Sequence, residues 1–242
     1  MKPIPTALLT LCALAHGAVI AQQQDIVFIA PTNHTMPMAQ FRDGMLVDGV
    51  LKDLGDLIAR RMERRAVYVS VPSKRVSEVL SAGGADALCY VVPVWIDGRY
   101  NWSKPFITSN AVIVARKEAP AVKSLSDLAD KPIGTVIGYR YPELERALGK
   151  HFARQDAPST ELNLRKLLVG RMHYATIDQT AYEYRMRQEP SLPLRKEVVY
   201  ATVMTQCAFS LRSKIPFARA EHAIDALVQD GSVAAVLNQY AK

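Results

Sequence analysis

The chain has 242 residues, 49% of them hydrophobic and 22% charged, which is long and apolar enough to bury one large core or two small ones. Its formal charge is +7, yet Lys and Arg are interspersed with acidic residues along the whole length. That distribution argues against nucleic acid, which wants a basic stripe with interleaved aromatics. The densest cluster, Arg60, Arg61, Arg64 and Arg65, closes an amphipathic helix, where cations suit the helix dipole.

At the N-terminus, Lys2 precedes an apolar run over 7–21, broken only by Thr10 and His16. Such a run is too short to span a bilayer, which needs about 20 residues. Val19 and Ala21 meet the small-residue rule for signal cleavage, so residues 1–21 read as a signal peptide with Gln22 as the new N-terminus. Leu11 before Cys12 does not fit a lipoprotein signal. No other segment is apolar enough to cross a membrane. Secretion leaves Cys89 and Cys207; an oxidising compartment permits their pairing, but their separation does not require it.

Residues 25–31 (DIVFIAP) read as a first buried strand, followed by a loop that ends in the turn signal Asp43-Gly44. Val50, Leu51, Leu54, Leu57, Ile58 and Met62 recur at helical spacing, with Asp48 as the expected cap. A strand over 66–71, a short helix over 73–81 stopped by Gly83-Gly84, and a strand over 85–92 complete a parallel α/β pattern. The stretch 86–117 then runs from one buried strand through an aromatic bend carrying Arg99 and Trp102 into a β-branched strand. It reads as the chain leaving one lobe and entering another.

The pattern begins again beyond it. Ser124 or Ser126 caps a helical turn, 131–137 is a strand, and 142–152 is a helix entered through a proline. Thr160 is expected to cap a helix stopped by Gly170. A strand over 172–177, a helix over 181–187 and strands over 196–202 and 207–211 follow. The chain closes with helices over 217–228 and 232–240, separated by Asp230-Gly231.

Several short motifs, in this order, resemble the periplasmic solute-binding proteins of family 3, the polar amino-acid binders. They are Gly49-Val-Leu-Lys-Asp53-Leu, the run Leu80 to Ala87, the step Trp102-Ser-Lys-Pro-Phe106, Ser124-Leu-Ser-Asp-Leu128, and Asp230-Gly231 before a final helix. The resemblance implies a two-lobed type II periplasmic binding protein fold of class α/β. Two mostly parallel sheets, flanked by helices, would enclose a ligand cleft at a two-strand hinge. It places lobe 1 at 25–107 and 208–242, lobe 2 at 111–203, and the hinge strands at 107–110 and 204–207.

The same resemblance implies function and site. The protein would be a periplasmic monomer that captures a small polar ligand and delivers it to an ABC transporter permease. On the alternative reading it is a sensory or accessory protein acting through a protein partner. Arg99 matches in position the lobe-1 arginine that holds a ligand carboxylate through paired hydrogen bonds. It departs from the pattern in its distance from Trp102 and in the absence of an accompanying threonine. Asp178 matches the lobe-2 aspartate that holds a ligand ammonium, with a helix-cap role as its structural alternative. Tyr139, Arg140 and Tyr141 stand where the family's glycine-threonine loop is expected. Trp95, Tyr139 and Tyr141 are candidate walls of the cleft, Met36 and Met38 occupy the loop where the family often places an aromatic, and Asn33 lies at the cleft edge beside His34.

Catalysis finds no motif: Gly-x-Ser-x-Gly, a P-loop and His-Glu-x-x-His are all missing from the sequence. The histidines are scattered and the cysteines lack metal-ligand spacing. A binding protein that needs no cofactor or metal is therefore expected.

Overall fold

The computed structural model describes residues 24–241. The expected signal peptide, with its cleavage point at Ala21, lies outside the described residues. The first strand, β1 (Asp25–Pro31), leads through a hairpin of β2 (Gln40–Arg42) and β3 (Met45–Asp48) into helix α1 (Val50–Arg61). Strand β4 (Arg65–Val71), helix α2 (Val76–Ala82) and β5 (Ala87–Val91) follow, then the short β6 (Tyr100–Trp102) and the long β7 (Ile107–Arg116). The middle of the chain folds as β8 (Ile133–Val136), α3 (Pro142–Leu148), β9 (Arg154–Ala157), α4 (Thr160–Leu168), β10 (Tyr174–Asp178) and α5 (Gln179–Gln188). Strand β11 (Leu194–Ser210) then returns to the first half, where α6 (Phe217–Gln229) and α7 (Ser232–Ala241) pack.

One nine-stranded sheet runs β4-β1-β5-β11-β7-β10-β8-β9, with β6 paired to β11 off this path. The β1–β4, β1–β5, β10–β8 and β8–β9 pairs are parallel, as βαβ crossovers require. Antiparallel β7 and β11 join the two parallel halves, pairing from Leu194 opposite Arg116 to Thr205 opposite Ile107, with the register shifted by bulges between Lys196 and Ala201.

Each half has its own core. Apolar residues of α1 at helical spacing, Val50, Leu51, Leu54 and Ile58, are buried against Phe28, Phe209, Ile224 and Leu227. In the other half, strand alternation in β7 sends Val112 and Val114 to one face and Ile113 and Ala115 to the opposite one. Fully burying one such side chain contributes roughly 1.5–3 kcal/mol.

Several local expectations are corrected. Gly49, not Asp48, occupies the N-cap of α1: its φ of 110° is closed to most side chains, and Asp48 instead accepts bonds from Gly49 N–H and the Tyr240 hydroxyl. Ser159, not Thr160, caps α4 by accepting from Leu162 N–H. Ser124 does cap its turn, in a box with Asp127. The strands expected over 196–202 and 207–211 form a single 17-residue strand, because β11 must traverse both halves. The β2–β3 hairpin and β9 fall in stretches read as loop; both are short and mostly solvent-facing, so they lack an apolar signal.

Candidate functional site

The C-terminal ends of β1, β5, β8 and β10 converge on one cavity of about 170 Å³ between the two halves of the sheet. Open α/β sheets bind ligands at such strand ends, where loops diverge and helices begin. The first half contributes His34, Met38, Ser73, Tyr90 and Trp95; the second contributes Gly138 to Tyr141, Thr160 and Asp178.

Asp178 ends β10 and is the N-cap of α5. Its Oδ1 accepts from Thr180 N–H at 2.8 Å and from the Thr180 hydroxyl. Its Oδ2 accepts from Tyr90 Oη at 2.7 Å and from Ser109 Oγ at 3.0 Å. The cap and the cavity group are thus one carboxylate with two working oxygens. Tyr90 reaches it from the opposite half with its own backbone at φ 62°. That left-handed conformation is costly for an aromatic residue inside a strand and recurs at binding sites, where the surroundings hold it in place. Burial, and after it the nearby Asp178 charge, push the Tyr90 hydroxyl pKa well up, so it stays protonated as a donor.

A second tie is Asn33, only 5% exposed and just beside the cavity wall. Its Oδ1 accepts from Ser73 N–H (2.8 Å) and Ser73 Oγ (2.7 Å) within its own half. Its Nδ2 donates to the Pro158 carbonyl at 2.6 Å, and its own carbonyl accepts from Thr160 N–H at 3.0 Å, both across the cleft. Gly138 meets the facing half so closely that an added Cβ would lie 2.9 Å from Lys74 N. At the rim Arg140 pairs with Asp97.

The aromatic lining is larger than the sequence suggested. Trp95, Tyr139 and Tyr141 line the cavity, joined by Tyr90 and Tyr200. The Tyr200 hydroxyl lies 2.5 Å from Thr176 Oγ1, and Tyr139 Oη lies 3.3 Å from His34 Nδ1. Burial depresses the His34 pKa to about 4 despite the opposing pull of Asp178, so the ring is neutral at neutral pH. Met38 is buried in the wall.

Arg99 is not brought to the cavity. It is exposed, while its neighbour Tyr100 is buried. Tyr100 starts β6, and its hydroxyl bonds the Asp97 and Ser77 carbonyls, so the loop folds over α2 instead of into the cleft. The guanidinium at the cleft mouth belongs to Arg140. Tyr90, Ser109, Glu143 and Tyr200 were missed; each lies in a strand, or at a helix start, that reads as ordinary core. Only the lone tyrosine in the small-residue run of β5 hinted at Tyr90. Cys89, next to it, is disulfide-bonded to Cys207 on the paired strand β11. Among the described residues no group of three His, Cys, Asp or Glu is disposed to hold a metal.

No family model matches the chain. A probable amino-acid-binding protein of Bacillus subtilis, YxeM, is 21% identical over 98% of this chain and 92% of its own length. The arginine-, lysine-, histidine-binding protein ArtJ from Geobacillus stearothermophilus superposes with a TM-score of 0.77 at 17% identity, over 90% of this chain and 95% of its own. The fold is that of a type II periplasmic binding protein. An ancestral arginine-binding protein bound to glutamine (TM-score 0.77, 14% identity) covers 91% of this chain and 99% of its own. A histidine kinase sensor domain with similarity to periplasmic binding proteins (TM-score 0.76, 19% identity) covers 90% and 96%. Among the described residues, no helix is long and apolar enough to cross a membrane.

Proposed function

We propose that the protein is a periplasmic solute-binding protein that encloses a small solute between two lobes and delivers it to an ABC importer. The observation that carries this is the cavity itself, walled by both sheet halves and crossed by the Tyr90–Asp178 bond. Lobe 1 comprises 25–107 and 208–242, lobe 2 comprises 111–203, and 107–110 with 204–207 form the hinge. The two halves have separate cores and are joined through β7 and β11, which supports this division. The Cys89–Cys207 bond suits an oxidising compartment, in keeping with a signal peptide cleaved after Ala21. Asp178 is the polar anchor of the ligand, with Trp95, Tyr139 and Tyr141 as its apolar walls.

The sensory or accessory reading is favoured by one observation: this chain's own groups, Asn33 and Tyr90, hold the lobes together. A thermal-shift screen of amino acids, amines and organic acids tests the proposal. A ligand at 100 times its dissociation constant adds roughly 2.7 kcal/mol of stability, and that gain should fall by about half or more in Asp178→Asn. A screen in which no solute raises the melting temperature turns the assignment to the sensory reading.

A further inference from the structure

We infer that the cleft takes a small organic ammonium with an apolar body and no carboxylate of its own, such as an arylalkylamine. This deepens the solute-capture reading and rests on it. The first observation is charge. The cavity wall contains two carboxylates, Asp178 and Glu143, and one cation, Arg140. Arg140 stands at the rim, 44% exposed, paired with Asp97 and donating to the Val94 carbonyl. His34 is neutral, and Arg99 lies exposed outside the cleft. A ligand carboxylate inside this wall faces like charges without a buried guanidinium, which opposes its desolvation. A ligand ammonium meets the opposite field.

The second observation is donor geometry. Tyr90 Oη and Ser109 Oγ both donate to Asp178 Oδ2, so three oxygens cluster around one anionic centre. Each hydroxyl, having spent its proton on the carboxylate, keeps lone pairs with which to accept. A primary ammonium carries three donors, one for each of these oxygens.

The third observation is shape and surface. The rest of the wall is largely apolar, with Tyr90, Trp95, Tyr139, Tyr141 and Tyr200 set among aliphatic residues. Aromatic faces attract cations and pack flat apolar bodies. A volume of about 170 Å³ compares with the roughly 150 Å³ engineered cavity that holds benzene.

The experiment is calorimetric titration of the secreted chain at neutral pH with phenethylamine and with L-phenylalanine, which differ only in the carboxylate. Phenethylamine is expected to bind at least about tenfold more tightly, and Asp178→Asn, which keeps a capping oxygen, to weaken it at least about tenfold. Arg99→Ala is expected to change neither ligand's affinity. Should Asp178→Asn fail to fold, Ser109→Ala carries the same test. Equal or tighter binding of phenylalanine overturns the amine assignment and leaves solute capture standing. So does binding of a sugar or organic acid with no binding of phenethylamine. Failure of every solute class to bind overturns both.

Discussion

Replacing Asn33 by alanine tests whether the interlobe ties control closure. The substitution removes one short bond across the cleft, Nδ2 to the Pro158 carbonyl at 2.6 Å, and a long one to Ile137 at 3.4 Å. It also removes the two bonds from Ser73, which lie within one lobe. The backbone bond from Thr160 to Asn33 survives, because alanine keeps its carbonyl. A typical hydrogen bond contributes about 0.5–1.5 kcal/mol net. The interlobe loss is therefore about 1 kcal/mol, the 3.4 Å contact adding little. That tips the open-to-closed ratio about fivefold toward open. The Ser73 bonds are lost in open and closed forms alike, so they cancel from closure and appear in stability instead. At about 1–3 kcal/mol for an abandoned buried partner, and 2–4 °C per kcal/mol for a chain of this size, the melting temperature should fall several degrees. Distance distributions between spin labels or dyes on the two lobes read closure, and solute affinity should weaken in proportion. If melting temperature drops while the interlobe distances stay unchanged, Asn33 stabilises lobe 1 only and does not control closure.

Gly138→Ala should open the cleft further, since the new Cβ meets backbone at Lys74, while its φ of 84° separately costs alanine about 1–2 kcal/mol of stability; a larger radius of gyration in solution scattering checks the opening. Because the His34 pKa is depressed to about 4 from 6.5, the unfolded chain binds its proton first as pH falls. Stability should therefore be full above pH 6.5 and lost progressively down to about pH 4, by at most about 3 kcal/mol. His34→Gln should flatten that part of the pH profile of denaturant midpoints, and an unchanged slope would assign it to other groups. Cys89→Ala/Cys207→Ala should cost about 2–4 kcal/mol, with reductant destabilising the parent chain equally and the variant not at all. Mass spectrometry of the secreted protein should find Gln22 at its N-terminus; retention of Met1 or Lys2 would contradict cleavage after Ala21.

Local periodicity and turn chemistry alone determined much of this protein. The helical recurrence of Val50, Leu51, Leu54 and Ile58, the β-branched run of β7 and the glycine stops at Gly83 and Gly170 are short-range patterns. They specify an element without reference to distant residues. The order of motifs carried the two-lobed topology for the same reason. The place of Asp178 was legible too, because a carboxylate at a strand end before a helix is a local arrangement. What only the tertiary structure decided is who stands opposite whom. Arg99 and Tyr100 are adjacent, yet the inward ring of Tyr100 turns the arginine out to solvent. Tyr90 and Asp178 are 88 positions apart, and Asn33 and Pro158 are 125 apart. Neither pairing leaves a trace in spacing, because the cleft forms only when β7 and β11 join two independently packed halves and their strand ends come face to face.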